Sequence, residues 1–259
     1  MTNTFKKTAI TAAKSAGAIL KKNIGNAHRI EFKGAIDIVT EMDRKAEDLI
    51  MKIIKNKFPE HGILTEESLE QKSDSGYRWI IDPLDGTTNY SHGFPVFCVS
   101  IALEKSGEGI ILGAVYNPML NELFTAEKNK GAYLNNKKIK VSDIKELTKS
   151  LLATGFPYDI RTSRDNNIAH FANFAVRAQA IRRAGSAALD MCYVACGRID
   201  GFWEMKLKPW DTAAAWLIIK EAGGMVTGFN GKEFSLYSGE TLASNCLIHD
   251  EMIKALQGR

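Results

Sequence analysis

Trp79-Ile-Ile-Asp-Pro-Leu-Asp-Gly-Thr-Thr-Asn89 is the stretch on which the reading of this chain turns. Trp79, Ile80 and Ile81 read as the end of a buried strand. Pro83 fixes its own φ and has no N–H for a ladder, so the chain turns there. Asp82 and Asp85 flank the bend, and the Leu84 carbonyl between them has no obvious ladder partner. Two carboxylates, a carbonyl and the Thr87 hydroxyl form the all-oxygen set that Mg²⁺ prefers. Gly86 permits close backbone approach, and Thr87, Thr88 and Asn89 can cap a helical turn whose free N–H groups attract an anion. Asp and Gly are common in turns for reasons unrelated to metals, so the motif gains weight only from acidic companions elsewhere.

Those companions exist. Gly62-Ile-Leu-Thr-Glu-Glu-Ser68 is a short apolar run closing on Glu66 and Glu67, a strand that delivers carboxylates at its end. Pro209-Trp-Asp-Thr-Ala-Ala-Ala-Trp-Leu-Ile-Ile-Lys-Glu-Ala-Gly-Gly224 reads as a helix with Asp211 as N-cap and the Gly pair as its stop. Capping uses one carboxylate oxygen and leaves the other for a ligand. Asp37-Ile-Val-Thr-Glu-Met-Asp43 leads into an amphipathic helix that begins near Asp43, itself readable as a cap.

Composition sets broad bounds. With 259 residues and 45% hydrophobic content, the chain can bury one large core or two fused lobes, at roughly 100 to 200 residues per domain. No apolar run reaches the ~18 residues of a spanning helix. The first residues read as an Ala/Lys amphipathic helix without a signal-peptide core, so no membrane association and a cytoplasmic location are expected. Cys98, Cys192, Cys196 and Cys246 lack zinc-pair spacing and sit among apolar neighbours, as small buried hydrophobes do. A net charge of +4 helps to collect anionic substrates and does not demand nucleic acid. The basic stretch from Lys128 to Lys140 resembles a solvated hairpin around Gly131-Ala-Tyr-Leu-Asn-Asn136 and carries no aromatic RNA-binding pattern, which leaves RNA binding a minor alternative.

Periodicity predicts helices near residues 3 to 24 and 43 to 56, then mainly strands of a largely antiparallel sheet to about 140. Helices follow near 165 to 178, 185 to 197 and 211 to 222. There is no repeat, low-complexity tract or linker, so a single domain over 1–259 is expected. Its N-terminal lobe runs to about 145 and its C-terminal lobe from about 146, with the site in the cleft.

These residues carry a resemblance. Asp37-Ile-Val-Thr-Glu-Met-Asp43, Glu66-Glu67-Ser68, Asp82 to Asn89, Gly185-Ser-Ala187, Glu204, and Trp210-Asp211 followed by Glu221-Ala-Gly-Gly224 resemble, in order and over nearly the whole chain, the inositol monophosphatase family. Ala180-Ile-Arg-Arg-Ala-Gly-Ser-Ala-Ala-Leu-Asp190 and Asp200-Gly-Phe-Trp-Glu204 look closest to its bacterial-type inositol-1-monophosphatases. The resemblance implies an α/β (α+β) protein, a layered αβαβα sandwich of the sugar phosphatase type, commonly a homodimer. It also implies a lithium-sensitive, Mg²⁺-dependent hydrolase of inositol-1-phosphate holding two or three ions. Glu66, Asp82, the Leu84 carbonyl and Thr87 would hold one ion, and Asp82, Asp85 and Asp211 a second. Glu66 and Thr87 would contact the attacking water, with Asp43 accepting from the Thr87 hydroxyl and the Gly86 and Thr87 N–H groups meeting the phosphoryl charge. Asp85, Gly185, Ser186, Ala187, Glu204 and Asp211 would face the inositol ring, and Lys33 would close over the phosphate.

For Glu204 the plain alternative is a charged strand end, and for Gly185-Ser-Ala187 it is helix initiation. A fructose-1,6-bisphosphatase or adenosine bisphosphate phosphatase would keep every ligand and change only the rim. Arg161, Arg164, Arg182, Arg183 and Lys208 could then meet a second phosphate. A non-catalytic protein-binding role on the same scaffold is a further minor alternative.

Overall fold

The computed structural model describes residues 2–26, 30–32 and 38–258. Lys33 and Asp37 lie outside the described residues. Two helices form the first layer, α1 (Thr2–Asn23) and α2 (Glu41–Lys55), with the short antiparallel pair β1 (Ile30–Phe32) and β2 (Ile38–Thr40) between them in sequence. Ala9, Ala12, Ala13, Ala16 and Leu20 of α1 are all buried, a spacing that keeps one face of a helix on the core. Small residues there bring the backbone close to the sheet: a Cβ at Gly17 would lie 2.6 Å from the Tyr116 ring.

The second layer is a seven-stranded sheet whose strands lie in chain order: β3 (Gly62–Thr65), β4 (Tyr77–Asp85), β5 (Cys98–Lys105), β6 (Gly109–Asn117), β7 (Glu122–Glu127), β8 (Ala132–Leu134) and β9 (Lys137–Lys138). The helix α3 (Thr87–Ser91) is inserted after β4. Every pairing is antiparallel except β3 with β4. Both faces are covered, and alternation divides the side chains between them. Trp79, Ile81, Ile101 and Leu103 join the α1/α2 core, while Ile80, Ala102, Val115 and Phe124 point to the interior layer.

Beyond it the chain builds a second sheet from β10 (Leu151–Thr154), β11 (Ala180–Arg182), β12 (Gly201–Met205), β13 (Met225–Thr227) and β14 (Glu240–Ser244). The order is β11-β10-β12-β14-β13, parallel around β10 and antiparallel around β14. Between the two sheets lie α5 (Ala187–Ala195) and α6 (Pro209–Glu221), whose Ala, Leu and Ile residues are buried almost throughout. A helix apolar on all sides is one packed on all sides. The outer face of the second sheet is covered by α4 (Ile168–Ala175) and α7 (His249–Leu256), with Phe174, Trp203, Leu242 and Met252 in the core between them. The layering is therefore αβαβα.

One local expectation fails. Strand β4 does not stop at Ile81 but continues through Pro83 to Asp85, with a register slip against β5 between Asp82 and Asp85. A bulge absorbs the missing proline donor and re-aims the side chains on either side. The two aspartates therefore sit on a bulged strand end rather than on a free turn.

Among the described glycines the closest approach to backbone is between the first sheet and α6, where a Cβ on Gly113 would meet the Ala214 carbonyl oxygen at 2.5 Å. Backbone cannot yield cheaply. Gly113→Ala should cost about 1–3 kcal/mol of stability by overpacking, read as a fall of several degrees in Tm; an unchanged melting curve would contradict this packing.

Candidate active site

A cavity of about 430 Å³ opens where strand ends of the first sheet meet the second sheet and the starts of α5 and α6. Glu66 enters from the end of β3, Asp82, Leu84 and Asp85 from the bulged end of β4, and Gly86 and Thr87 from the start of α3. Gly185, Ser186 and Ala187 come from the approach to α5, Glu204 from β12, and Asp211 from α6. Asp43 stands one step behind this wall. Its Oδ1 accepts from Thr87 Oγ1 at 2.8 Å, and that hydroxyl also lies 3.0 Å from the Leu84 carbonyl oxygen. One proton facing two acceptors leaves the oxygen's lone pairs for another partner.

Local structure explains the placements and corrects several capping roles. Helix α2 begins at Glu41, with Thr40 as N-cap. Asp43 is its third residue and accepts from the Thr40 N–H at 2.8 Å and hydroxyl at 2.6 Å. Asp211 is likewise the third residue of α6, accepting from the Lys208 N–H at 2.7 Å, because Pro209 takes the first helical position. Thr87 opens α3 instead of capping it; the N-cap is Gly86 at φ +103°, where a Cβ would lie 2.9 Å from the Val96 carbonyl oxygen. Ser186 does occupy the N-cap of α5, but its hydroxyl donates to Asp85 Oδ2 at 2.7 Å rather than to the helix. The partner of the Leu84 carbonyl is a side chain, the Thr87 hydroxyl, at 3.0 Å.

Electrostatics set the chemistry. Asp82 is 1% exposed and, among the described residues, accepts only from the Leu84 N–H, at 2.9 Å. Burial first, then the charges of Glu66, Asp85 and Asp211, push its carboxyl well above the ordinary range. Burial also raises Asp85, opposed by the Ser186 hydroxyl and the Ala188 N–H, and raises Asp43 against the donors from Thr40 and Thr87. Glu204 and Asp211 are both pushed up to about 8, chiefly by burial. Their partial exposure is to the cavity rather than to bulk water, so desolvation still dominates. Among the described residues no salt bridge reaches Asp82, Asp85, Glu204 or Asp211.

This donor set fits a hard divalent cation. It is all oxygen, no salt bridge among the described residues reaches its three aspartates, and each of Asp82, Asp85 and Asp211 commits one oxygen to a protein donor and keeps the other. The cage is not preassembled: among the described residues no group of three acidic, His or Cys side chains already stands in metal-holding geometry.

Several contributors have roles that the sequence did not reveal. Buried Glu47 accepts from Thr65 Oγ1 at 2.6 Å, the Glu67 N–H at 3.1 Å and the Ser68 hydroxyl, so it grips the chain on both sides of Glu66. Its signal was an acid on the buried face of α2, four residues after Asp43. Asn89 Nδ2 donates to Val96 O and Ala184 O, both at 2.8 Å, tying α3 to the approach to α5. Cys98 is not a mere core hydrophobe, since its thiol lies 3.7 Å from Asp85 Oδ2 and burial raises it. Asp190, an acid within an otherwise apolar helix, also lines the cavity. Of the five cations considered for a second phosphate, Arg183 and Lys208 line the cavity and Arg161, Arg164 and Arg182 do not.

Comparison with known proteins agrees with this geometry. The model of the "Inositol monophosphatase family" matches residues 1–259. An inositol-1-monophosphatase of Synechocystis is 46% identical over 255 residues, covering 98% of this chain and 88% of its own. A Nus factor SuhB of Vibrio cholerae is 46% identical over 240 residues, covering 92% and 90%. The solved inositol monophosphatase of Anabaena superposes with a TM-score of 0.89 at 44% identity, over 99% of this chain and 96% of that one. Fold and cavity thus define a metal-dependent phosphatase. The chain belongs to the inositol monophosphatase family.

The raised carboxyls have a consequence for stability. Their folded pKa values exceed the unfolded ones, so the fold binds these protons more tightly than the unfolded chain. Their favourable contribution is present below the ordinary aspartate value of 3.8 and is lost as pH rises toward about 8. In chelator, Asp82→Asn should melt higher than the parent at pH 8, with the gap closing toward pH 4. A gap that does not depend on pH would contradict the assignment.

Proposed function

We propose that the chain hydrolyses inositol-1-phosphate to inositol and phosphate, with Mg²⁺ as its cofactor. The observation that carries this reading is the cluster of Glu66, Asp82, Asp85 and Asp211 around one cavity, with no salt bridge among the described residues to its three aspartates. Glu66, Asp82, the Leu84 carbonyl and Thr87 would hold one ion and Asp82, Asp85 and Asp211 another, with two or three in the active form. Ions held there would lower the pKa of a water and neutralise charge on the phosphoryl oxygens.

The chain's own groups supply the rest. Thr87 Oγ1 donates its hydrogen bond to Asp43 Oδ1, which leaves a lone pair of the oxygen free to accept from the attacking water beside Glu66. No serine or cysteine nucleophile is needed, and Cys98, whose thiol burial holds protonated, takes no part. The first N–H groups of α3, from Gly86 and Thr87, face the phosphoryl oxygens as preorganised donors. Across the cavity Glu204, Asp211 and the Gly185-Ser-Ala187 backbone would hold the ring hydroxyls. A lithium-sensitive homodimer in the cytoplasm completes the reading, supported by family membership.

A second reading rests on Arg183, Lys206 and Lys208 at the same cavity: they could receive a second phosphate, as in fructose-1,6-bisphosphate or an adenosine bisphosphate. The acidic ring-facing wall favours a neutral polyol. Phosphate release should therefore show a higher kcat/KM for inositol-1-phosphate than for fructose-1,6-bisphosphate, and the reverse order would promote the second reading. Asp85→Asn should lower kcat by about 10²- to 10³-fold in saturating Mg²⁺ while the far-ultraviolet circular dichroism is kept. Turnover near the parental rate would remove Asp85 from the machinery, and full activity in excess chelator would remove the metal.

A further inference from the structure

We propose that Asp190 is a specificity-determining residue, which accepts a hydrogen bond from a hydroxyl of a polyhydroxylated leaving group beside the one read by Glu204. The inference rests on the hydrolase reading above and deepens it. Asp190 is on the first turn of α5, is 3% exposed and lines the cavity. Its helical neighbours Ala187, Ala188, Leu189, Met191 and Cys192 are all buried apolar residues. No hydrogen-bond donor and no salt bridge reaches its carboxylate among the described residues, and the phosphoryl-transfer machinery does not use it.

A buried acid without a donor is unfavourable unless something else satisfies it. A helix N-terminus favours an acid in its first turn, but that return is a fraction of the cost of burying a carboxylate, and an exposed acid would gain it more cheaply. The missing donors must come from what enters the cavity. Glu204 is in the same condition, with no donor among the described residues and with Asp190 among the charges that act on it. Space for the Glu204 carboxylate is kept by Gly155, where a Cβ would fall 2.1 Å from Oε1. The one cation acting on both acids is Arg183, which is exposed.

Two adjacent carboxylates offer acceptors in excess and no donor. Neighbouring ring hydroxyls are their complement, because each brings a donor and no charge. A second phosphate brings charge and no donor, and an alkyl group brings neither. The wall is thus matched to a polyol, and Asp190 extends it by one hydroxyl beyond Glu204.

The experiment compares the parent, Asp190→Asn and Asp190→Ala in saturating Mg²⁺ on inositol-1-phosphate, its monodeoxy analogues and ethyl phosphate, which has no hydroxyl. Both variants should lose about 10- to 100-fold in kcat/KM on inositol-1-phosphate, mostly through KM, with ethyl phosphate turnover and the Mg²⁺ activation constant within about twofold of the parent. One monodeoxy analogue, penalised with the parent, should lose its penalty with Asp190→Ala. Equal losses on inositol-1-phosphate and ethyl phosphate would show that Asp190 only supports the fold, and deoxy penalties that all persist in the variant would show that it reads no hydroxyl; either overturns the proposal alone. A parent that does not prefer inositol-1-phosphate to ethyl phosphate would overturn the substrate reading with it.

Discussion

Mutual repulsion among desolvated carboxylates is the constraint around which this molecule is arranged. Two like charges about 5 Å apart repel by roughly 3 kcal/mol at an effective dielectric near 20, while a hydrogen bond to a charged group returns about 1.5–3 kcal/mol. One donor thus offsets about one neighbour. Asp82 has one donor and three acidic neighbours, Glu66, Asp85 and Asp211. The protein alone does not close that balance, whereas a divalent cation would.

Holding such a group in place falls to backbone and to acids outside the cavity. The bulge at Pro83 puts Asp82 and Asp85 on the rim of a rigid sheet, with strand pairing on both sides of the slip. Gly86 lets α3 start directly after it, at a φ that other residues adopt with strain. Asp43 and Glu47, one turn apart on the buried face of α2, then reach outward to Thr87 and to the chain around Glu66. A helix that belongs to the first core layer by Met42, Ala46, Ile50 and Ile54 therefore also orients two walls of the cavity. Packing and positioning are the same contacts viewed from opposite sides.

Legibility in the sequence followed the range of each cause. Strands and helices were readable from periodicity, whereas the αβαβα layering was implied only by the family resemblance that the ordered motifs carry. Asp82, Asp85 and Asp211 were conspicuous as acids beside apolar runs, and Thr87 as the hydroxyl after the first of these turns; Glu204 read by itself as a charged strand end, and only the resemblance drew it into the cavity. Cap positions were not readable: Asp43 and Asp211 each sit at the third helical position, and the difference depends on where Thr40 and Pro209 break the φ/ψ pattern. The bulge was hidden because Pro83 signals a turn unless its partner strand is known. Glu47, Asn89 and Cys98 act through residues far away in the chain, and nothing in their immediate neighbours announces that.

The two sheets divide the cavity by chemistry. The first sheet and α3 bring the cluster able to hold cations and the N–H groups able to face a phosphoryl group. The second sheet and the starts of α5 and α6 bring Gly155, Glu204, Asp190 and Asp211, which line the opposite wall of the cavity. Asp85 belongs to the first group by position and to the second by bonding, since Ser186 and the Ala188 N–H both donate to its Oδ2. Asn89 makes the reciprocal crossing, from α3 to the Ala184 carbonyl. The two walls are thereby coupled through hydrogen bonds already present without substrate, so a change at the rim has a route to the charged cluster even when it touches no carboxylate of that cluster.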